Sequence, residues 1–256
     1  MYRVESPGHP IHYRFDALSG VPHGVFTRHG GVSHGPWASL NVGHTVGDDP
    51  AAVAANEARV CAALGVSAAR VATARQVHGT DVLRVAAQQA GATVGAADGL
   101  VTDASGVALL MRVADCAPVL LYGPDRGVVG IAHAGWRGAL GGVAARTARV
   151  MIEEYGCDPR ALRAGIGPSI GPCCYEVGAE VYEPFAARWG AGTVRRVAGG
   201  GVHVDLWEAN ARALREVGVE HVEIAALCTC CRREEFYSHR GDGGRTGRLA
   251  AVIDLP

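Results

Sequence analysis

The chain has 256 residues, 48% of them hydrophobic, enough to bury roughly three quarters of the unfolded surface around a real core. Charged residues make up 19% and the formal net charge is −1, which argues against electrostatic capture of nucleic acid, a task that wants a clearly basic face. No lysine occurs, so Schiff-base and P-loop lysine chemistry are excluded, and a phosphate or carboxylate must be met by the arginine fork.

No basic-then-apolar leader opens the chain, and no apolar run reaches the roughly 18 residues of a membrane span. A cytoplasmic protein without a membrane partner is expected. Eight cysteines are too sparse for a disulfide scaffold, which leaves free thiols or metal ligands.

In chain order, Ile11–Phe15 and Val25–Thr27 read as short strands, the second running into Arg28, His29 and a glycine pair. Asp49 reads as an N-cap and Pro50 as the first residue of a helix to about Leu64, with Gly65 as its stop. Asn56 and Glu57 fall mid-helix and are expected to be solvated. Strands follow at Val71–Val77 and Asp81–Ala86, around a tight turn with His78 at its mouth. Two more are expected at Asp98–Asp103 and Val107–Val113.

Next come two nearly all-apolar runs, Pro118–Tyr122 and Gly127–Ala132, joined by Gly-Pro-Asp-Arg-Gly. Pro presets φ, Asp bonds its own backbone and Gly tolerates positive φ, so a buried hairpin is predicted. Cys116 stands just before the first run and His133 just after the second, which makes them neighbours. A helix is predicted from Arg137 to about Tyr155. Beyond it are expected a strand at Leu162–Ile166, a Gly/Pro-rich loop over 165–176 and a helix from about Ala179. A strand at Val202–Leu206, a helix at Trp207–Val217, a buried strand at Val222–Leu227 and a closing strand at Leu249–Ile253 complete the pattern. No composition break marks a linker. The expectation is one domain over 1–256, a mixed α/β (α+β) sandwich of mixed sheets with flanking helices.

Two constellations carry chemistry. His78, Cys116 and His133 offer two imidazoles and a thiolate, a set that suits Zn²⁺ with a fourth position open. The same atoms suit a Cys–His nucleophile, with Cys116 as thiolate, and spacing does not separate these readings. Copper is disfavoured because no His-x-His occurs. Cys228, Cys230 and Cys231 form a denser cluster, able to ligate metal or cycle through a disulfide. Only Cys173-Cys174 accompanies it, so free thiols are preferred to a structural four-cysteine site. Arg137, Arg240, Arg245 and Arg248 each adjoin glycine, Arg28 stands two residues before a glycine pair, and the five are expected to share one anion pocket.

Phe26-Thr-Arg-His-Gly-Gly-Val-Ser33, Ser39-Leu-Asn41, Gly47-Asp-Asp-Pro50, Gln76-Val-His-Gly-Thr-Asp81, Ala97-Asp-Gly-Leu-Val-Thr-Asp103, Ala114-Asp-Cys-Ala-Pro118 and His133-Ala-Gly-Trp-Arg-Gly138 form an ordered series. Gly165-Ile-Gly-Pro-Ser-Ile-Gly-Pro-Cys-Cys-Tyr-Glu-Val177 and Thr246-Gly-Arg248 extend it. Together they resemble the laccase-domain family, also called polyphenol-oxidase-like proteins or peptidoglycan editing factor, from about residue 24 to 253. The resemblance implies a zinc site at His78, Cys116 and His133. It further implies phosphorolysis of adenosine, inosine, guanosine and methylthioadenosine, with adenosine deamination alongside. The implied partners are a small-molecule nucleoside and phosphate, on a monomer or homodimer. Asp115 is expected to orient a histidine ligand, and Asn41 joins the arginines as a substrate-binding candidate. The loop Phe236–Arg245 departs from the family pattern at His239 and Gly241, which weakens the carry-over to Arg240. Two other classes fit the residues: a Cys116-dependent amidase acting on cell-wall precursors, and a non-catalytic zinc-stabilised binding protein.

Overall fold

The structure is a computed structural model and describes residues 1–197 and 199–256. The chain runs through β1 (Tyr2–Val4), β2 (His12–Arg14), β3 (His23–Phe26), α1 (Pro50–Leu64), β4 (Val71–Arg75), β5 (Val82–Arg84), β6 (Thr93–Ala96), β7 (Gly99–Thr102) and β8 (Val107–Val113). It continues with β9 (Ala117–Gly123), β10 (Val128–Ala134), α2 (Trp136–Gly141), α3 (Val143–Tyr155), β11 (Arg163–Ile166), β12 (Glu176–Val177), α4 (Ala179–Trp189) and β13 (Val194–Arg196). β14 (Val202–Val204), α5 (Leu206–Glu216), β15 (His221–Ile224) and β16 (Leu249–Leu255) close it.

A seven-stranded sheet has the order β1-β2-β3-β16-β8-β4-β6, and a six-stranded sheet the order β15-β11-β9-β10-β7-β5. Both mix parallel and antiparallel pairs. Side chains alternate across a strand, and each sheet uses both faces. Leu109, Met111, Ala251 and Ile253 of the first sheet meet Leu100, Leu120, Val129 and Ile131 of the second in a shared core. The opposite face of the second sheet, with Val119, Leu121, Val128 and Ala132, is covered by α2 to α5. The opposite face of the first, with Phe26, Leu110 and Val252, is covered by α1 through Val60. Strands buried on both sides must be apolar throughout, which is why β9 and β10 read as continuous runs. A small third sheet, β12-β14-β13, packs beside α4.

α1 starts and stops at the expected residues. The Asp49 carboxylate accepts from Ala51 N at 3.0 Å, and Gly65 takes the left-handed conformation at φ 71°. The helix expected from Arg137 to Tyr155 is instead two, because Gly142 adopts φ 74° and ends α2 before α3 begins. The strand expected at Val222–Leu227 ends at Ile224 and is a half-buried sheet edge, paired on one side only, with β11. Asn56 is fully buried, not solvated. No helix among the described residues is long and apolar enough to cross a membrane.

Candidate active site

The β9–β10 hairpin pairs His133 with Pro118 and Ala134 with Ala117. That register sets Cys116, one residue before β9, beside the end of β10. His78 arrives separately, from the turn after β4, at φ 58° in the left-handed region. The ligand atoms of His78, Cys116 and His133 lie within 4.8 Å of one another, and the two imidazole rings meet edge-on with centroids 4.9 Å apart.

Asp98 organises the trio, a residue the sequence offered only as the head of a strand. It precedes β7, which pairs with β10, and its carboxylate is fully buried. Oδ1 accepts from His133 Nδ1 at 2.7 Å and from His78 N at 3.1 Å. Oδ2 accepts from Gly79 N at 2.7 Å and Val77 N at 3.1 Å. One carboxylate therefore fixes the tautomer of His133 and holds the strained turn that presents His78. Burial works to raise the Asp98 pKa. The His133 hydrogen bond and the Gly79 and Val77 amides outweigh it and lower the pKa. The available signal in the sequence was a single acid directly before an apolar run.

Asp115, the residue expected to orient a histidine, does other work. Its φ is 81°; Oδ1 accepts from Thr229 Oγ1 at 2.6 Å and Oδ2 from Arg240 N at 2.7 Å. It ties the C-terminal loop to the hairpin, because its side chain turns toward that loop rather than toward an imidazole.

Burial pushes the Cys116 thiol up, but the adjacent His133 charge and hydrogen bonds from both histidines bring it down to about 6. The same pairing raises His133 to about 9 against the effect of its burial. Both shifts run in the direction that favours a thiolate beside an imidazolium. With His133 Nδ1 committed to Asp98, its Nε2 is the free donor. The set is then two nitrogens and one sulfur, with a carboxylate behind one histidine, which fits a borderline divalent ion with an open position. Gly135 completes the cradle. A Cβ there would lie 2.9 Å from both Cys116 Sγ and His78 Nδ1.

The trio lines a cavity of about 790 Å³, with Gln76, Tyr175, His239, Arg240 and Arg248 among its other walls. Such a volume suits a small organic ligand. A smaller pocket of about 140 Å³, bordered by Trp136 and Arg137, shares His78, Asp115, Cys116 and Tyr175 with it. Arg248 is mostly buried, and burial lowers its pKa. Arg240 lies over the Tyr175 ring, 5.5 Å from its centroid. Burial raises the Tyr175 hydroxyl to about 12.

The five arginines do not form one pocket. Arg28 Nε donates to Ala38 O at 2.9 Å and its guanidinium covers Tyr237. Arg245 lies over Trp37. Neither lines the cavity, because both are spent on holding loops together. Asn41 also lies behind the wall, its Oδ1 accepting from Gly43 N and Arg248 N, both at 2.8 Å. Arg112, unexpected from the sequence, lines the cavity, yet its guanidinium is held by Val42 O, Thr73 Oγ1 and Glu57.

Residues 22–256 match the family model described as multi-copper polyphenol oxidoreductase laccase. The chain belongs to this laccase family. A relative from Deinococcus radiodurans, named purine nucleoside phosphorylase, is 44% identical over 99% of this chain and 96% of its own length. The purine nucleoside phosphorylase YlmD of Geobacillus stearothermophilus is 39% identical over 92% of this chain and 90% of its own. The crystal structure of YlmD from that organism superposes with a TM-score of 0.93 at 35% identity, over 99% of this chain and 98% of that one. The structure of a Bacillus licheniformis protein, YfiH, gives 0.92 at 32% identity, over 99% of each chain. The resemblance read from the motifs and the mixed α/β architecture are thereby shown. The family's name carries copper, whereas the names of the Deinococcus and Geobacillus sequence relatives carry nucleoside chemistry.

Proposed function

We propose that this laccase-family chain is a zinc-dependent purine nucleoside phosphorylase that also deaminates adenosine, working as one domain over residues 1–256. The observation that carries the reading is the His78–Cys116–His133 trio, backed by Asp98, opening into a cavity walled by Arg240 and Arg248. The relatives' names point to phosphate and a purine nucleoside as the two substrates.

Phosphorolysis joins a phosphate oxygen to the anomeric carbon and breaks the glycosidic C–N bond. The bond's electron pair leaves with the base, which takes up a proton. The reaction needs phosphate held close and the developing charge met by fixed groups. Arg248, desolvated and lacking any carboxylate partner among the described residues, holds the phosphate together with Arg240. Tyr175 offers a flat apolar face for the base, and its hydroxyl stays protonated at neutral pH. Arg137 borders the smaller pocket as a further anion contact. His78, Cys116 and His133 hold the ion. Zinc bound there supplies Lewis acidity to the reacting centre, the chemistry that deamination by water also requires. Adenosine, inosine, guanosine and methylthioadenosine are the proposed substrates. We place the protein in the cytoplasm as a monomer or homodimer.

One observation favours a second reading. A lowered Cys116 thiol beside an Asp98-oriented His133 is also a nucleophile, base and orienter, suited to amide hydrolysis in cell-wall precursors. Metal analysis of purified protein, paired with adenosine and phosphate turnover for wild type and Cys116→Ala, separates the two. Near-stoichiometric zinc, lost in the variant together with ribose 1-phosphate formation, supports the phosphorylase. Copper in place of zinc refutes the metal assignment. Protein that contains no zinc and leaves adenosine untouched refutes the phosphorylase, and amide hydrolysis that survives chelation then identifies the nucleophile.

A further inference from the structure

We propose that Cys173, Cys174, Cys228 and Cys231 form a second metal site, holding a zinc-class divalent ion that pins together two loops walling the cavity. It is independent of the phosphorylase reading and shares no ligand with the His78 site.

Cys173-Cys174 and Cys228–Cys231 stand far apart in the chain, and spacing alone favours free thiols there. The fold converges them. All four sulfurs lie within 4.8 Å of one another. Cys231 Sγ is 3.4 Å from Cys173 Sγ and 3.3 Å from Cys174 Sγ. Sulfurs bonded to one tetrahedral zinc stand about 3.8 Å apart, given Zn–S bonds of about 2.3 Å. A disulfide would need about 2.05 Å and would use the thiols two at a time. Four convergent sulfurs match a single ion better than any pairing. Gly171 N donates to Cys228 Sγ at 3.2 Å, which compensates charge on a thiolate. Cys173 and Cys231 are exposed and Cys228 is buried, so the site has an entrance and a floor. Thiolates select soft or borderline ions such as zinc. On binding, the four thiol protons pass to solvent and the ion replaces them.

The site's place in the fold gives it work. Cys174 precedes Tyr175, a cavity wall. Cys228 precedes Thr229, whose hydroxyl binds Asp115. Thr229 N donates to Ser169 O at 3.0 Å, and Arg240 reaches back to Glu176 O at 2.9 Å. An ion on the four sulfurs ties the loop that carries Ile170 and Tyr175 to the loop that carries His239 and Arg240, and all four of these residues line the cavity.

The test titrates metal-free protein with Zn²⁺ and counts ions per chain for wild type, Cys173→Ser/Cys231→Ser and Cys116→Ala. Cobalt(II) is then substituted for its sulfur charge-transfer bands. The proposal expects about two ions in wild type and about one in each variant, with the four-sulfur cobalt spectrum lost only in the serine double variant. It is overturned if the double variant binds as much zinc as wild type. It is equally overturned if wild type binds about one ion and Cys116→Ala removes it. Should the double variant not fold, Cys231→Ser alone serves, and an unchanged cobalt spectrum there refutes the site. Failure here leaves the His78 site's zinc and turnover intact, so the two readings fail separately.

Discussion

Asp98 carries more of the site than any ligand does. It is buried, accepts four hydrogen bonds, and reaches two of the three ligands through them. Asp98→Asn keeps the shape but loses the charge and offers the His133 Nδ1–H a weaker acceptor. Zinc affinity and turnover are expected to fall roughly 10–100-fold, read by competition with a zinc chelator and by phosphate-dependent adenosine cleavage. Wild-type affinity in the variant would show that Asp98 does not tune the site. Asp115 looked like the better orienter because it adjoins Cys116 in sequence. Adjacency in sequence misled, because the chain bends at Asp115, φ 81°, and sends its carboxylate to Thr229 and Arg240 of the C-terminal loop.

At the scale of elements, the β9–β10 hairpin and the loop behind the cavity behave differently. The hairpin is local, so its turn chemistry and apolar runs disclosed both strands and the meeting of Cys116 with His133. The loop is organised from a distance by Asn56 of α1. Its Oδ1 accepts from Val32 N at 2.9 Å, and its Nδ2 reaches Ser33 Oγ, Ser39 O and Asn41 O at 2.8–3.1 Å. Asn41 in turn holds the backbone of Gly43 and Arg248. Asn56→Ala strands buried polar groups and is expected to cost about 2–3 kcal/mol, read from the urea midpoint. The same variant should weaken phosphate binding through Arg248. An unchanged midpoint would show that water replaces the side chain without cost. Periodicity placed Asn56 on α1 and could not reveal that a loop would fold over it.

For the whole molecule, acid stability is set in part by His23 on β3. The ring is fully buried. Nδ1 donates to Val21 O at 2.9 Å and Nε2 accepts from Phe15 N at 2.8 Å. Protonating Nε2 would break the second bond, and burial lowers the pKa from 6.5 to about 4. The folded state thus binds its proton later than the unfolded chain. This contribution is complete above pH 6.5 and is lost as pH falls through about 4, up to about 3 kcal/mol. Urea melts across that window should show the loss, and His23→Gln should flatten it. An equal slope in the variant would assign acid sensitivity to other groups.

The sequence by itself determined the mixed α/β class, α1 with both its caps, the buried hairpin and the family motifs. Each of these rests on short-range rules: side-chain periodicity, turn chemistry, and the φ that proline and glycine permit. Only the tertiary structure decided which polar groups meet. It put Asp98 rather than Asp115 behind His133, since the β7–β10 register is a long-range pairing. It sent Arg28 and Arg245 to loops and Arg240 and Arg248 to the cavity, although all four lie in glycine-rich turns. It also gathered two distant pairs of cysteines onto one point. Polar convergence of this kind depends on how whole sheets pack, and nothing local in the chain encodes it.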